Sequence, residues 1–202
     1  MTAINDVMNH FKNVDPVLYS VALKVGDVKI EKGNSKDYFS SLCREIVGQQ
    51  LSGKVASVIF NRFLVLSPNN KITADHILDF PDKKIRDAGM SWSKVSSLKD
   101  LAKKVKDGSI NLDALNNLSN GEILRELTKV KGIGPWTVEM FLMFTLGRED
   151  VFSYGDLGLK RAMQNTYKFR KEPSRKRIES LTEKWSPYKT YACLILWKSV
   201  DG

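Results

Sequence analysis

The sequence predicts an all-α fold, and three observations carry that expectation. Apolar residues recur at helical spacing almost everywhere, strand-like alternation is confined to "VGDVKIEKG" (25–33), which reads equally as a loop, and helix-start signals recur along the chain. The first stripe, Phe39, Leu42, Cys43, Ile46 and Val47, and a second, Val55, Val58, Ile59 and Phe63, predict two helices with buried faces. Shorter helices follow near 73–80, 82–88, 93–106 and 112–117. Ser119-x-x-Glu122 has capping-box spacing and opens a helix whose apolar side is Ile123, Leu124, Leu127 and Val130. A helix over 136–147 is apolar nearly all round, with Glu139 its single carboxylate, and so is expected in the interior. Basic helices close the chain near 157–167, 173–184 and 187–200, the second entered through Pro173. About ten short helices result.

The chain has 202 residues, 42% of them hydrophobic, enough for one domain or two tightly packed lobes. Its net charge is +9, and six of those nine charges fall between Asp156 and Gly202, where eleven Lys/Arg face five Asp/Glu. Such a balance favours a polyanionic partner on one late face. Cys43 and Cys193 stand far apart among apolar neighbours, too few for an iron–sulfur cluster or zinc site, and read as buried thiols. His10 and His76 have no partner at metal-ligand spacing. No secretory segment or apolar run of about 18 residues occurs, so a soluble, intracellular protein with no membrane association is expected.

The most unusual stretch is Lys131-Gly132-Ile133-Gly134-Pro135, a tight connection between two helices. The glycines permit positive φ and close approach of a partner's backbone, and Pro135 suits a first helical turn. Outward N–H groups at such a turn, with Lys131 adding charge, make an anion site; a plain glycine-ended helix followed by a proline-started one is the alternative. Ile133 would tuck between the helices. Twenty-two residues after Gly134 stands Asp156, in Tyr154-Gly155-Asp156, directly before a helix. On its own it reads as an N-cap.

Gly132-Ile133-Gly134-x-Trp136-Thr137, an apolar helix, Asp150-Val151-Phe152 and then Asp156 before a helix bearing Lys160 and Arg161 together resemble the helix-hairpin-helix DNA glycosylases, in particular their alkylated-base (3-methyladenine) branch in its compact form. Ile46-Val47-Gly48-Gln49-Gln50-Leu51-Ser52 is similar to the segment that precedes the base pocket in that branch. Glu183–Trp197 is similar to its closing helix. The resemblance covers about residues 38–65 and 122–200.

It implies a single catalytic unit of two helical lobes around a cleft containing Asp156, one over about 36–147 and the other combining 1–35 with 148–202. It implies flipping of a damaged nucleotide and hydrolysis of its N-glycosidic bond, with Asp156 as the catalytic carboxylate. That role fits the chemistry, because the departing base leaves positive charge on the sugar, and a helix N-terminus favours an ionised carboxylate. An alkylated purine such as 3-methyladenine or 7-methylguanine is cationic and leaves neutral, so one carboxylate suffices and an aromatic pocket can select it. Trp136 and Trp197 match pocket aromatics, with Tyr154, Phe39 and Met140 further candidates. Lys131, Gly132, Ile133 and Gly134, with the N–H groups of Trp136 and Thr137, would hold a DNA phosphate, and Lys160 could touch another. Gln50 or Leu51 would be the wedge filling the gap, supported by Gln49. Arg161 and the run Arg175-Lys176-Arg177 could also meet phosphates, although such a run usually forms a solvated face.

Related enzymes that also cleave the strand carry a Schiff-base lysine just after the hairpin, where this chain has Trp136. A monofunctional enzyme is therefore expected, with no cofactor beyond a structural monovalent cation at the hairpin. It would act as a monomer on double-stranded DNA, in the nucleoid-bearing cytoplasm of a prokaryote or the nucleus of a eukaryote. Three other readings stay open: a non-catalytic DNA-binding module, a glycosylase for a neutral damaged base, for which Glu45 and Glu139 are the nearest extra acids, and a ribosomal-type RNA binder.

Overall fold

A computed structural model describes residues 4–30 and 37–200. Among these residues the regular structure is helical throughout. In chain order the helices are α1 (Ile4–Val14), α2 (Pro16–Val25), α3 (Tyr38–Gly48), α4 (Gly53–Leu64), α5 (Ala74–Asp79), α6 (Asp82–Asp87) and α7 (Trp92–Lys106). After them come α8 (Asn120–Leu127), α9 (Pro135–Met140), α10 (Leu157–Thr166), α11 (Arg175–Thr182) and α12 (Lys189–Lys198). Short 3₁₀ turns occupy Pro68–Asn70, Asp113–Asn117 and Glu183–Trp185. The chain divides into two compact units, Asn34–Phe141 and Met1–Gly33 with Leu142–Gly202. The second boundary therefore falls inside the long apolar segment rather than after Gly147.

In the unit Asn34–Phe141, α3 buries Phe39, Leu42, Cys43, Ile46 and Val47 against α4 and α7. The capping box forms in full at the start of α8, Ser119 Oγ accepting from Glu122 N–H while Glu122 accepts from Ser119 N–H. Its core side is Ile123, Leu127 and Val130. On α4 the expected stripe is rotated: Phe60 and Phe63 are buried, whereas Val55 and Val58 face solvent. A run with apolar residues on most sides fits either rotation, and the phenylalanines, which have more area to bury, take the core.

In the other unit the organising group is Asp15, a carboxylate 1% exposed. Its Oδ1 accepts from Leu18 N–H and so caps α2, which starts at Pro16. Its Oδ2 accepts from Trp185 Nε1 at 2.8 Å and Tyr167 Oη at 2.7 Å, with Lys184 Nζ at 3.1 Å. Burial alone would raise this carboxyl, but those four donors outweigh it and hold the group below the usual carboxylate range. Asp15→Asn keeps the cap and removes the charge, and is expected to cost about 1–2 kcal/mol near neutral pH. Because the folded carboxyl titrates below an unfolded one (about 3.9), its stabilisation is present above about pH 4 and is lost as pH falls through the folded value. Thermal unfolding of variant and wild type should accordingly converge in acid.

Residues Gly26–Ile30 carry no strand and so take the loop alternative, Val25 being the last residue of α2, and 31–33 lie outside the described residues. Two expectations need correction. The apolar segment is α-helical only to Met140 and continues as a π-helical turn over Phe141–Thr145, with Arg148 N–H reaching back to Leu142 O at 2.9 Å. Pro173 stands outside α11, whose N-cap is Ser174, accepting from Arg177 N–H. Cys43 and Cys193 are buried thiols not joined in a disulfide. No helix among the described residues is long and apolar enough to cross a membrane.

Candidate functional site

The glycine turn between α8 and α9 is lashed to α7. Lys131 N–H donates to Asp100 Oδ2 at 2.8 Å, and Lys131 Nζ donates to Ser96 Oγ at 2.8 Å. Burial tends to raise the Asp100 carboxyl, but the bonds from Lys104 and from Lys131 N–H prevail and keep it below its ordinary range. Gly132 has φ +78°, and a Cβ built there would lie 2.2 Å from Ser97 Oγ. Both the dihedral and the space demand glycine. Gly134 differs from the expectation, since its φ of −95° is extended backbone open to any residue, and a Cβ there meets nothing within 4 Å. It serves as N-cap of α9 with open space above it. Ile133 is 4% exposed and anchors the turn in the core.

Gln49 reaches this turn from the α3–α4 connection. Its Nε2 donates to Gly132 O at 2.8 Å and to Thr137 Oγ1 at 3.0 Å. Lys94 on α7 in turn donates from Nζ to Val47 O at 2.8 Å and Gln49 O at 2.7 Å, capping the end of α3. Burial holds that ammonium below its ordinary value. Gln50, exposed at the tip of the connection, has φ +59°, and Leu51 N–H closes the turn onto Gly48 O. Gln49, Gln50, Ser91, Lys94, Gly132 and Trp136 line one cavity of about 360 Å3, over which Trp136 is 40% exposed. Thus the structure brings together Gln49, Gln50, Gly132, Trp136 and Thr137 from the expected set. Phe39 is not among them: it is buried beside a different cavity of about 350 Å3, with Tyr38, Val105 and Ile110. Met140 is buried in α9.

Glu45 lies on α3 one turn before Gln49, half-buried. Burial pushes its carboxyl up to about 7 against the pull of Arg44. Since the folded value is raised, the charged form opposes folding, and wild-type stability falls as pH rises from about 4.3, the unfolded value, through about 7. Glu45→Gln is expected to raise Tm relative to wild type above neutral pH and to change it little near pH 4, as thermal unfolding across pH would read.

In the unit containing Leu142–Gly202, Asp156 is the N-cap of α10 and more than that. Its Oδ1 accepts from Leu159 N–H at 2.8 Å and from the Trp197 indole Nε1 at 3.0 Å, so cap and closing helix orient one half-exposed carboxylate. The Trp197 ring lies 6.2 Å from that of Phe144. Gly158 makes room for the pair: a Cβ there would stand 3.1 Å from Asp156 Oδ1 and 3.4 Å from Trp197 Cδ1. Tyr154 is held against Phe152, with its hydroxyl 3.4 Å from Thr182 Oγ1 and the Arg175 guanidinium 4.8 Å over its ring. Lys160 pairs with Glu172 at 3.0 Å, while Arg161 is exposed. Arg177 covers the Phe169 ring and Arg175 also pairs with Glu179, so two members of the basic run are engaged by their neighbours. A carboxylate fixed in this way can stabilise positive charge developing beside it and orient a water. Among the described residues no group of three or more His, Cys, Asp or Glu could hold a metal ion.

The sequence reading missed Lys94, the reach of Gln49 to the hairpin, and the bond from Trp197 to Asp156. A paired glutamine after a helix end and a glycine two residues after the aspartate were the only signals.

Comparison with known proteins places these residues in a family context. The model of the HhH-GPD superfamily of base excision DNA repair proteins matches residues 43–187. DNA-3-methyladenine glycosylase 1 of Schizosaccharomyces pombe is 32% identical over 202 residues, covering 98% of this chain and 89% of its own. The solved structure of the S. pombe 3-methyladenine DNA glycosylase Mag1 in complex with abasic DNA superposes with a TM-score of 0.84 at 32% identity, covering 96% of this chain and 95% of that one. A DNA-3-methyladenine glycosidase from Bacillus halodurans gives a TM-score of 0.82 at 34% identity, over 94% and 86% of the two chains.

Proposed function

Since the chain belongs to the HhH-GPD superfamily of base excision DNA repair proteins, we propose that it is a monofunctional DNA glycosylase that hydrolyses the N-glycosidic bond of alkylated purines flipped from duplex DNA, 3-methyladenine first and 7-methylguanine second, leaving an abasic site. The observation that carries this reading is Asp156, oriented through Oδ1 by Leu159 N–H and the Trp197 indole. As the C–N bond lengthens, the bonding electrons leave with the base and positive charge grows on the sugar. Asp156 stabilises that charge and orients the attacking water, whose proton it accepts or relays. A cationic alkylated base departs neutral, so no acid is needed. The exposed face of Trp136 supports selection of such a base by cation–π attraction.

Gly134, with open space above its Cα, and the first-turn N–H groups after it hold a phosphate. Gln50 or Leu51 fills the stack from the tip of its turn. Lys131 Nζ rests on Ser96, and Trp136 occupies the place of the Schiff-base lysine, which supports hydrolysis without strand cleavage. A monovalent cation at the hairpin is part of the proposal as structural support alone. The carbonyls of Val130 and Gly132 each accept one bond already, leaving a second lone pair suited to such an ion, and no chemical step runs through it. The protein acts as a monomer, in whichever compartment holds the genome.

The test is a lesion panel in duplex DNA, with released bases separated by chromatography and strand scission followed in parallel. Release of 3-methyladenine with strands intact until alkali is added, and no protein–DNA adduct trapped by borohydride, supports the reading; strand cleavage without alkali overturns the monofunctional part.

A further inference from the structure

The exposed side of α4 has no role in the chemistry above, yet beside Lys54, Asn61 and Arg62 it carries exposed valines. Val55 and Val58 are 45% and 46% exposed, and Val65 at the helix end is 70% exposed. Val55, Val58 and Arg62 recur at intervals of three and four, so they lie along one edge of the helix, and Leu66 follows just past its end. That edge borders a groove of about 540 Å3 between the end of α4 and α6, walled by Leu66, Pro81 and Ala88. Gly89, just beyond α6, is where the two elements meet most closely: a Cβ there would stand 3.2 Å from Ile59 Cγ1 of α4. The groove is thus bounded by helices fixed against each other.

Charge along its lining is net positive, Arg62, Lys83 and Lys84 against the single carboxylate Asp87. Lys83 is paired with Asp87 at 2.6 Å. Among the described residues no carboxylate lies within 4.0 Å of Arg62, Lys84 or Arg86. Lys84 Nζ is carried 4.1 Å over the Phe80 ring, and the Arg86 guanidinium 5.0 Å over the exposed Trp92 ring. Aromatic stacking restrains both cations without neutralising them. An apolar floor rimmed by unneutralised cations fits a ligand that is apolar on one side and acidic on the other. A second copy of this chain does not fit, because the same face would bring like charges together across a two-fold. Nor does a phosphate backbone, which gains nothing from the valines and the apolar walls.

We propose that the groove between α4 and α6, with the Val55–Val58 edge beside it, docks an acidic amphipathic segment of a partner protein. The apolar side chains of the segment enter the groove at helical spacing, and its carboxylates meet Arg62, Lys84 and Arg86. The surface belongs to the unit Asn34–Phe141 and is independent of the glycosylase reading.

The probe is a fluorescein-labelled synthetic helix of about sixteen residues, with leucine at every third or fourth position and glutamate on the remaining face. Binding to the full chain is read by anisotropy at physiological salt, and its place by hydrogen exchange. The expected result is saturable binding with protection confined to 55–66 and 82–88. A scrambled peptide of the same composition, with its leucines off register, should bind about ten-fold more weakly, and Val58→Ser and Lys84→Glu should each weaken the registered peptide about five- to ten-fold. Both substitutions are at exposed positions, and unchanged Tm verifies their folding. Equal binding of the scrambled peptide overturns the proposal, as does indifference to Val58→Ser, protection elsewhere on the chain, or stronger protection of the same segments by undamaged duplex DNA.

Discussion

Gly132→Ala is expected to destabilise the protein by about 2–5 kcal/mol, read as a fall of several degrees in Tm. Two effects add. At φ +78° an L-residue pays roughly 1–2 kcal/mol of backbone strain. The new Cβ would also lie 2.2 Å from Ser97 Oγ, and overpacking of that kind costs about 1–3 kcal/mol. The two can be separated. Ser97→Ala in the same chain removes the colliding oxygen and leaves the next contact at 3.2 Å, so the double variant should recover most of the overlap and none of the dihedral strain. Gly134→Ala is the contrast: with extended backbone and open space, it should change stability by less than about 0.5 kcal/mol. Any loss of duplex affinity at Gly134→Ala then reports the approach of a partner's backbone. Equal destabilisation by the two single variants would contradict this account of the hairpin.

Much of the helical scaffold was legible because its signals are local. The stripe from Phe39 to Val47, the box at Ser119 and Glu122, and the N-cap at Asp156 are each written within a few residues of chain. Where local signals were ambiguous, tertiary packing decided. On α4 the choice between valines and phenylalanines for the core depends on what faces the helix, so Val55 and Val58 were misplaced. The apolar run after Pro135 gives no hint that it leaves α-helical geometry at Phe141, since a segment buried on most sides has no periodicity to break.

The candidate site divides the same way. Gly132, Trp136 and Asp156 sit in a motif dense enough to recognise, but the groups that hold them are remote. Gln49 reaches the hairpin across 83 positions, Lys94 reaches Gln49 across 45, and Trp197 reaches Asp156 across 41. No spacing rule connects such pairs. Trp197 shows the consequence: read as a pocket aromatic by resemblance, it donates its indole N–H to the carboxylate, a positioning contact that composition and periodicity do not encode.

Asp156→Asn carries the largest expected effect on activity. Asparagine caps a helix as well as aspartate and can accept from both Leu159 N–H and Trp197 Nε1, so Tm and duplex affinity should stay close to wild type. What disappears is the negative charge beside the sugar and the acceptor for the proton of water. Removal of such a group from a preorganised site lowers the chemical step by about 10²–10⁴-fold. The decisive measurement is single-turnover release of 3-methyladenine from methylated duplex DNA, wild type beside Asp156→Asn, with enzyme in excess and binding measured on the same preparations. The account predicts rapid release by the wild type and a loss of at least about 10²-fold in the variant at unchanged affinity. Release at the wild-type rate by Asp156→Asn, or binding by both proteins with release by neither, would contradict it.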